Sequence, residues 1–282
     1  MVTVTVDPAR GGRWTSLRLA GREWLWQRPD PARATVRPGD PFVDAGGLEE
    51  CVPTVRGVPD HGAAWSRPWT GGRVDCGDFT LRREIHIWSG EVVARYRLDA
   101  EPGFRFIWAA HALLNLSPAA VLMAPAGTET RIDGGAVAPW PADTAPRIDG
   151  GAVGAEARIS GGAVGSEARI GAGAVAVRPG GLAALGPDDG TAIGAILVDC
   201  PRVTVADGER LTFALDAPGQ PASTALWRNL GGWPVGAPYR SVGVEPMLGR
   251  VWDVAGAGPG DAAVVPPNGI CEWRLTLSGE IS

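Results

Sequence analysis

Short runs of alternating polar and apolar residues, separated by glycine and proline, constrain the fold of this 282-residue chain more than any other feature. They occur at 3–6, 14–19, 191–198, 202–205, 210–215 and 272–277. A period of two is typical of a strand with one buried face. No long window carries a helical apolar stripe, and 41 glycines and 25 prolines supply turns. The sequence therefore predicts an all-β sandwich or barrel.

One hairpin is predicted directly. The alternating runs 79–88 and 91–98 are separated only by Ser89-Gly90, a pair suited to a two-residue turn between antiparallel strands. His86 alternates with Ile85 and Ile87 inside this hairpin, and we interpret it as structural or solvent-facing.

The charge composition excludes several functions. All 26 basic residues are arginine and the net charge is −5, so the chain offers no general attraction to nucleic acid or anionic lipid. Without lysine, neither a Schiff base nor a phosphate-loop lysine is available. The usual nucleotide-binding and serine-hydrolase motifs are absent, as are paired ligand spacings such as HxH or CxxC. We therefore expect no metal and no cofactor.

The cysteines and the N-terminus indicate a cellular location. Cys51, Cys76, Cys200 and Cys271 are too sparse for a disulfide scaffold. The first residues alternate instead of forming a basic start and an apolar block, and no run is long enough to span a membrane. We expect a reduced cytoplasmic protein; the sequence leaves the oligomeric state open.

A short repeat marks the middle of the chain. The heptapeptide at 131–137 recurs unchanged at 147–153 and in related form at 158–164 and 169–175. A solenoid is one interpretation, but each unit offers only Ile and Val for burial. We prefer one domain over 1–282, with 131–178 as a Gly/Ala-rich repeat or insertion inside it.

Candidate binding residues concentrate between 46 and 69. Turn-forming residues there surround Asp60, His61, Trp65 and Trp69. An indole face beside a carboxylate and an imidazole suits a sugar, whose C–H face stacks on the ring while its hydroxyls need polar partners. The alternative is that Asp60 and His61 stabilise a turn and the tryptophans are core.

Two further polar residues interrupt apolar strands. His111 lies in an apolar run, 104–116, and Glu245 ends another, 242–246, just before a proline. A buried carboxylate must be paired, hydrogen-bonded or shifted in pKa. Either Glu245 works with an imidazole or it pairs with a flanking arginine, Arg240 or Arg250. The loop at 226–234 adds Trp233 and an amide.

Taken in order, these segments resemble the aldose 1-epimerase (galactose mutarotase-like) family. Asp60-His61-Gly62 resembles its first histidine motif, the run from His111 to Leu116 its second, and the run from Val242 to Pro246 its glutamate strand. The tryptophan-rich segments 49–69 and 226–234 resemble a bacterial branch of that family. The resemblance extends over about residues 10–277.

The resemblance implies an antiparallel β-supersandwich and a mutarotase-like isomerase acting on a small carbohydrate. Glu245 would be the general base and His111 the general acid, with His61 near the ring oxygen. From the residues themselves, Trp65 and Trp233 are candidates to stack on the sugar, and Arg67, Arg73 and Glu50 are candidates for contacts that replace missing family residues. The chemistry needs one group that takes a proton and another that gives one.

The chain departs from the family pattern near both histidines. Leu113 and Leu114 replace the aromatic pair, Ala110 replaces a polar residue and Ala63 an acid. Two alternatives therefore stay open, a non-catalytic carbohydrate-binding protein and an isomerase or lyase for another metabolite, because a fold alone does not fix function.

Overall fold

The computed structural model describes residues 1–141 and 181–281, which are almost entirely strand and turn. In chain order the strands are β1 (Thr3–Asp7), β2 (Arg13–Leu19), β3 (Arg22–Glu23), β4 (Leu48–Cys51), β5 (Arg73–Asp75), β6 (Phe79–Trp88), β7 (Glu91–Ala100), β8 (Arg105–Phe106), β9 (Trp108–Leu114), β10 (Val121–Met123), β11 (Glu129–Ile132), β12 (Ala136–Pro139), β13 (Thr191–Leu197), β14 (Arg202–Asp207), β15 (Glu209–Asp216), β16 (Ala222–Trp233), β17 (Tyr239–Leu248), β18 (Ala263–Val264) and β19 (Ile270–Glu280). The helical segments of this part of the chain are two 3-10 turns, Pro31–Ala34 and Val254–Gly256.

Two antiparallel sheets contain nearly all of these strands. Among the described residues, the larger has ten strands in the order β1-β2-β4-β9-β17-β16-β13-β11-β12, with β3 beside β2. The smaller has seven, in the order β10-β14-β15-β19-β7-β6-β5. The alternating runs at 202–205, 210–215 and 272–277 lie in β14, β15 and β19, and all but the last residue of the run 191–198 lies in β13, which confirms the all-β prediction.

The predicted hairpin is confirmed. Strands β6 and β7 pair from Phe79 with Ala100 to Trp88 with Glu91. Ser89 and Gly90 both have positive φ, 51° and 83°, as a tight turn between twisted strands requires. His86 is exposed on β6.

The main core fills the space between the sheets. Trp108 of β9 contacts Tyr96 of β7 and Trp273 of β19, with ring centroids 4.8 and 5.2 Å apart. These rings are at most 3% exposed. Because side chains alternate along a strand, the even-numbered residues of β9 face the smaller sheet, and the odd-numbered ones, including His111, face the other way.

The first copy of the repeat is part of the large sheet. Its residues 131–137 span the turn between β11 and β12, and β11 also pairs with β13. Asp133 in that turn accepts two hydrogen bonds from Arg56, at 2.8 and 3.1 Å. This copy of the repeat therefore forms a hairpin in the large sheet. The copies at 147–153, 158–164 and 169–175 lie outside the described residues.

Candidate functional site

Sheet register places His111 and Glu245 opposite each other. In the antiparallel pairing of β9 with β17, Gly243 lies opposite Leu113 and Met247 lies opposite Ala109. Midway between these two pairs, Glu245 lies opposite His111. Both side chains project from the face turned away from the smaller sheet. The distance from His111 Nδ1 to Glu245 Oε1 is 3.6 Å. The structure thus brings together the two residues predicted to be the acid and the base.

Both groups are largely removed from solvent. His111 is 8% exposed and Glu245 3%. Within residues 1–141 and 181–281, the buried Nδ1 of His111 has no hydrogen-bond partner. Burial lowers the pKa of His111 below its ordinary value; the charge of Glu245 opposes this shift and His61 adds to it. Within the same described ranges, the flanking arginines pair elsewhere, Arg240 with Asp188 and Arg250 with Asp199.

His61 reaches the same place from the loop after β4. Its ring centroid is 5.1 Å from that of His111. The residue has a φ of 57°, an uncommon conformation for a residue with a Cβ. Its Nδ1 lies 2.9 Å from Asp60 Oδ1. Burial alone would raise the pKa of Asp60, but the hydrogen bond and charge of His61 outweigh it and lower that pKa.

Phe42 covers both imidazoles, and sequence reasoning missed it. Its ring stacks on His61 with centroids 3.6 Å apart and lies 5.5 Å from His111. The rings of Phe42 and Trp65 also meet edge to face, with centroids 4.9 Å apart. Phe42 lies in an irregular segment without alternation, so no pattern in the sequence marked it.

Trp65 is a buried residue that packs against Phe42. It is only 1% exposed, its Nε1 donates to the carbonyl of Asp60, and the guanidinium of Arg33 lies over its ring. Such a ring has no free face for a sugar. The expected stacking role of Trp65 is replaced by a packing role under Phe42.

The two neighbouring glutamates of β4 face opposite sides of the sheet. Glu49 is the cross-strand partner of His111, whereas Glu50 pairs with Ala110 and faces the smaller sheet. The Glu50 carboxylate accepts hydrogen bonds from Arg83, Tyr96 and Trp108, at 2.6, 3.0 and 2.7 Å. Glu50 is fully buried, and these contacts give it a structural role in the core. It is not brought to the site.

Glu49 is the acidic neighbour that the sequence analysis overlooked. Arg33 donates to both of its carboxylate oxygens, at 3.0 and 3.2 Å, and also to the carbonyl of Trp65. Burial raises the pKa of Glu49 to about 8 although Arg33 opposes that shift. Strand alternation from His111 identifies which member of the Glu-Glu pair faces the site, but only once the register is known.

Trp233 lies at one end of the same face. It follows a bulge in β16, where the register shifts between Leu230 and Trp233. Its ring meets Trp227 at 6.1 Å and Tyr239 at 5.9 Å, both edge to face. The ring is partly exposed, so it remains available to a ligand.

The described residues show neither a metal cluster nor a membrane span. Within 1–141 and 181–281, no three His, Cys, Asp or Glu side chains are grouped as metal ligands would be. In the same residues, no helix has the length and apolar character needed to cross a bilayer.

The fold is that of known mutarotase-like proteins. No family model and no curated protein matches the chain. A proposed aldose 1-epimerase of Escherichia coli K12 superposes with a TM-score of 0.65 at 14% identity, over 100% of this chain and 96% of that one. A proposed aldose 1-epimerase of Klebsiella pneumoniae gives 0.63 at 12%, over 99% and 77%.

A third solved structure agrees with these two. It is a galactose mutarotase related enzyme of Lactobacillus acidophilus, with a TM-score of 0.53 at 14% identity over 100% of this chain and 97% of that one. The chain therefore has the galactose mutarotase-like fold, as its motifs implied.

Proposed function

We propose that this protein is an aldose 1-epimerase-like isomerase that interconverts the anomers of a reducing sugar. The observation that carries the proposal is the His111–Glu245 pair, 3.6 Å apart on one face of the sheet. The anomeric hydroxyl and the ring oxygen of a pyranose are bonded to the same carbon. An acid and a base that must act on these two atoms therefore need to be close neighbours, as these two residues are.

The reaction balances with these two groups alone. The Glu245 carboxylate accepts the proton of the anomeric hydroxyl, a carbonyl forms at C1, and the bond from C1 to the ring oxygen breaks. The electron pair stays on the ring oxygen, which takes a proton from His111. After rotation about the C1–C2 bond, the ring oxygen attacks the other face of the carbonyl. The ring hydroxyl returns its proton to His111, and Glu245 protonates the new anomeric oxygen.

The surroundings favour proton transfer over ion pairing. At 3.6 Å the His111 and Glu245 side chains approach without a hydrogen bond, so each retains capacity for a substrate oxygen. Their burial strengthens the electrostatic effect of each group on the reacting atoms. His61, bound to Asp60, presents a second imidazole for a sugar hydroxyl.

The decisive test is anomer exchange measured by NMR on common aldoses. Glu245→Gln keeps the shape of the side chain but removes the base, and it should lower the exchange rate by a factor of about 10²–10⁴. Glu84→Gln is the matched control, because the Glu84 side chain is 75% exposed on β6. If the wild-type protein accelerates exchange of no reducing sugar, the proposal is wrong.

A second candidate is a carbohydrate-binding protein without catalysis, and the position of Phe42 favours it. The Phe42 ring already occupies one face of His61, at 3.6 Å. A sugar that stays outside Phe42 would bind without reaching the acid and base. In that case sugars would bind, His111→Ala would leave their affinity nearly unchanged, and no exchange would be catalysed.

A further inference from the structure

Four partly exposed aromatic rings form a continuous row beside the candidate site. We call Trp26, Tyr239, Trp233 and Trp227 the aromatic strip. Trp26 stacks on Tyr239 at 5.6 Å, Tyr239 meets Trp233 at 5.9 Å, and Trp233 meets Trp227 at 6.1 Å. Each of the four rings is partly exposed. Large aromatic side chains are usually buried more completely, so a row of exposed ones indicates a binding surface.

The aromatic strip begins at the catalytic pair. Trp227 is the cross-strand partner of Gly243, so its side chain shares a face with Glu245 two residues further along. Two residues of strand span about 7 Å. The Nε1 of Trp227 donates to Ser241 Oγ, at 3.1 Å, which holds the indole against β17.

The strip extends well beyond one sugar ring at Tyr239. Tyr239 is six residues before Glu245 on β17, or about 20 Å along an extended strand. Its hydroxyl donates to Asp44, at 2.6 Å, and the guanidinium of Arg28 lies over its ring at 4.4 Å. Trp26 ends the row on the segment beside β9, where its backbone N–H donates to the carbonyl of Leu113, at 2.9 Å. A monosaccharide bound at Glu245 would leave most of this surface unused.

A buried amide holds the middle of the strip in place. Asn229 is fully buried, and its Oδ1 accepts from the backbone N–H groups of Gly232 and Trp233, both at 3.0 Å. Its Nδ2 donates to the carbonyl of Trp233, at 2.9 Å. Three hydrogen bonds from one side chain therefore fix the bulge that carries Trp233. A surface built in this way is preorganised for a ligand.

We infer that the substrate of the proposed epimerase is the reducing end of an oligosaccharide. Only the terminal unit of such a chain has the free anomeric hydroxyl that Glu245 and His111 require. The following units would lie along the aromatic strip, with C–H faces against the indoles and hydroxyls toward polar atoms such as the Asp44 carboxylate. This inference rests on the proposed function, because it assigns the terminal unit to that pair.

The test compares sugars of increasing length. Binding of glucose, maltose and maltotriose, and of cellobiose and cellotriose, is measured by calorimetry with the full-length Glu245→Gln protein, so that turnover plays no part. We expect a gain in affinity of about tenfold from the monosaccharide to the disaccharide of the preferred series. Trp233→Ala should remove most of that gain. Trp88→Ala, which removes a 76% exposed indole on the β6–β7 turn, should keep it.

The outcomes separate the inference from the proposed function. Equal affinity for all chain lengths, or equal losses for every sugar in Trp233→Ala, would overturn the inference while leaving anomer exchange of monosaccharides intact. Length-dependent binding that requires Trp233, in a protein that exchanges no anomers, would support the binding surface and overturn the enzyme. Exchange with kcat/KM rising with chain length would support both.

Discussion

The missing side chain of Gly243 makes the space in which the carboxylate of Glu245 lies. A Cβ built on Gly243 would be 2.5 Å from Glu245 Oε1, and 3.1 and 3.3 Å from the side chains of Trp227 and Leu113. Gly243 needs no unusual backbone conformation, since its φ is outside the left-handed region. Gly243 therefore leaves room for the carboxylate of Glu245. In the proposed mechanism it is a positioning residue for that carboxylate.

Gly243→Ala should reduce activity and leave the fold intact. The atom in closest conflict is the end of a flexible side chain, so the carboxylate can move, but it then leaves its place beside His111. A displacement of about 1 Å at a reacting group costs about a hundredfold in rate, so we expect a loss of that order in kcat. Anomer exchange and thermal unfolding are measured together. Gly256→Ala is the control, because nothing lies within 4 Å of a Cβ there. A large loss of stability with normal activity would contradict the positioning role.

The proposed role of His111 predicts a specific pH dependence. As general acid it must be protonated in the free enzyme, and burial lowers its pKa below the ordinary 6.5. The protonated fraction is then lost as the pH rises through that lowered value. The kcat/KM for anomer exchange should therefore fall with rising pH, with a midpoint below about 6.5. A profile that stays flat through this region, or a midpoint above 6.5, would contradict the assignment.

The sequence predicted the strands and the hairpin, and singled out His111 and Glu245, because each leaves a local signal. Alternation marks strands, and Ser89-Gly90 marks a turn. His111 and Glu245 could be singled out because each is an ionisable residue in an apolar strand. Burial of a charged group there costs free energy unless the group is paired or hydrogen-bonded.

The remaining parts of the site depend on register and on loop paths, which leave no local signal. Glu50 and Glu49 are adjacent, and only the pairing of β4 with β9 decides that Glu49 faces His111. The sequence alone does not distinguish Trp65 from Trp233, because the path of the loop is what buries Trp65. Phe42 reaches the imidazoles through an irregular segment that no periodicity describes.

Removing Phe42 should restore a more ordinary pKa to His111. Phe42 stacks over the two imidazoles, and burial is the main cause of the lowered pKa of His111. In Phe42→Ala the pKa of His111 should rise, as followed by NMR titration of the ring protons. The chain has only three histidines, so the signals can be assigned by single substitutions. Phe42→Leu keeps an apolar cover and should give a smaller shift. An unchanged pKa in Phe42→Ala would show that Phe42 does not control access of water.

Glu50→Ala should affect stability and not sugar recognition. The substitution leaves the buried guanidinium of Arg83 without its carboxylate and removes the acceptor of Tyr96 and Trp108. Removing one partner of a buried ion pair leaves the other charge unpaired and costs about 3–5 kcal/mol. The free energy of unfolding, measured by denaturant titration, should therefore fall by about that amount. Glu84→Ala, at an exposed position of β6, should change it by about 0.5 kcal/mol or less. If Glu50→Ala instead preserved stability and weakened sugar binding, Glu50 would belong to the site after all, and the register of β4 against β9 would be wrong.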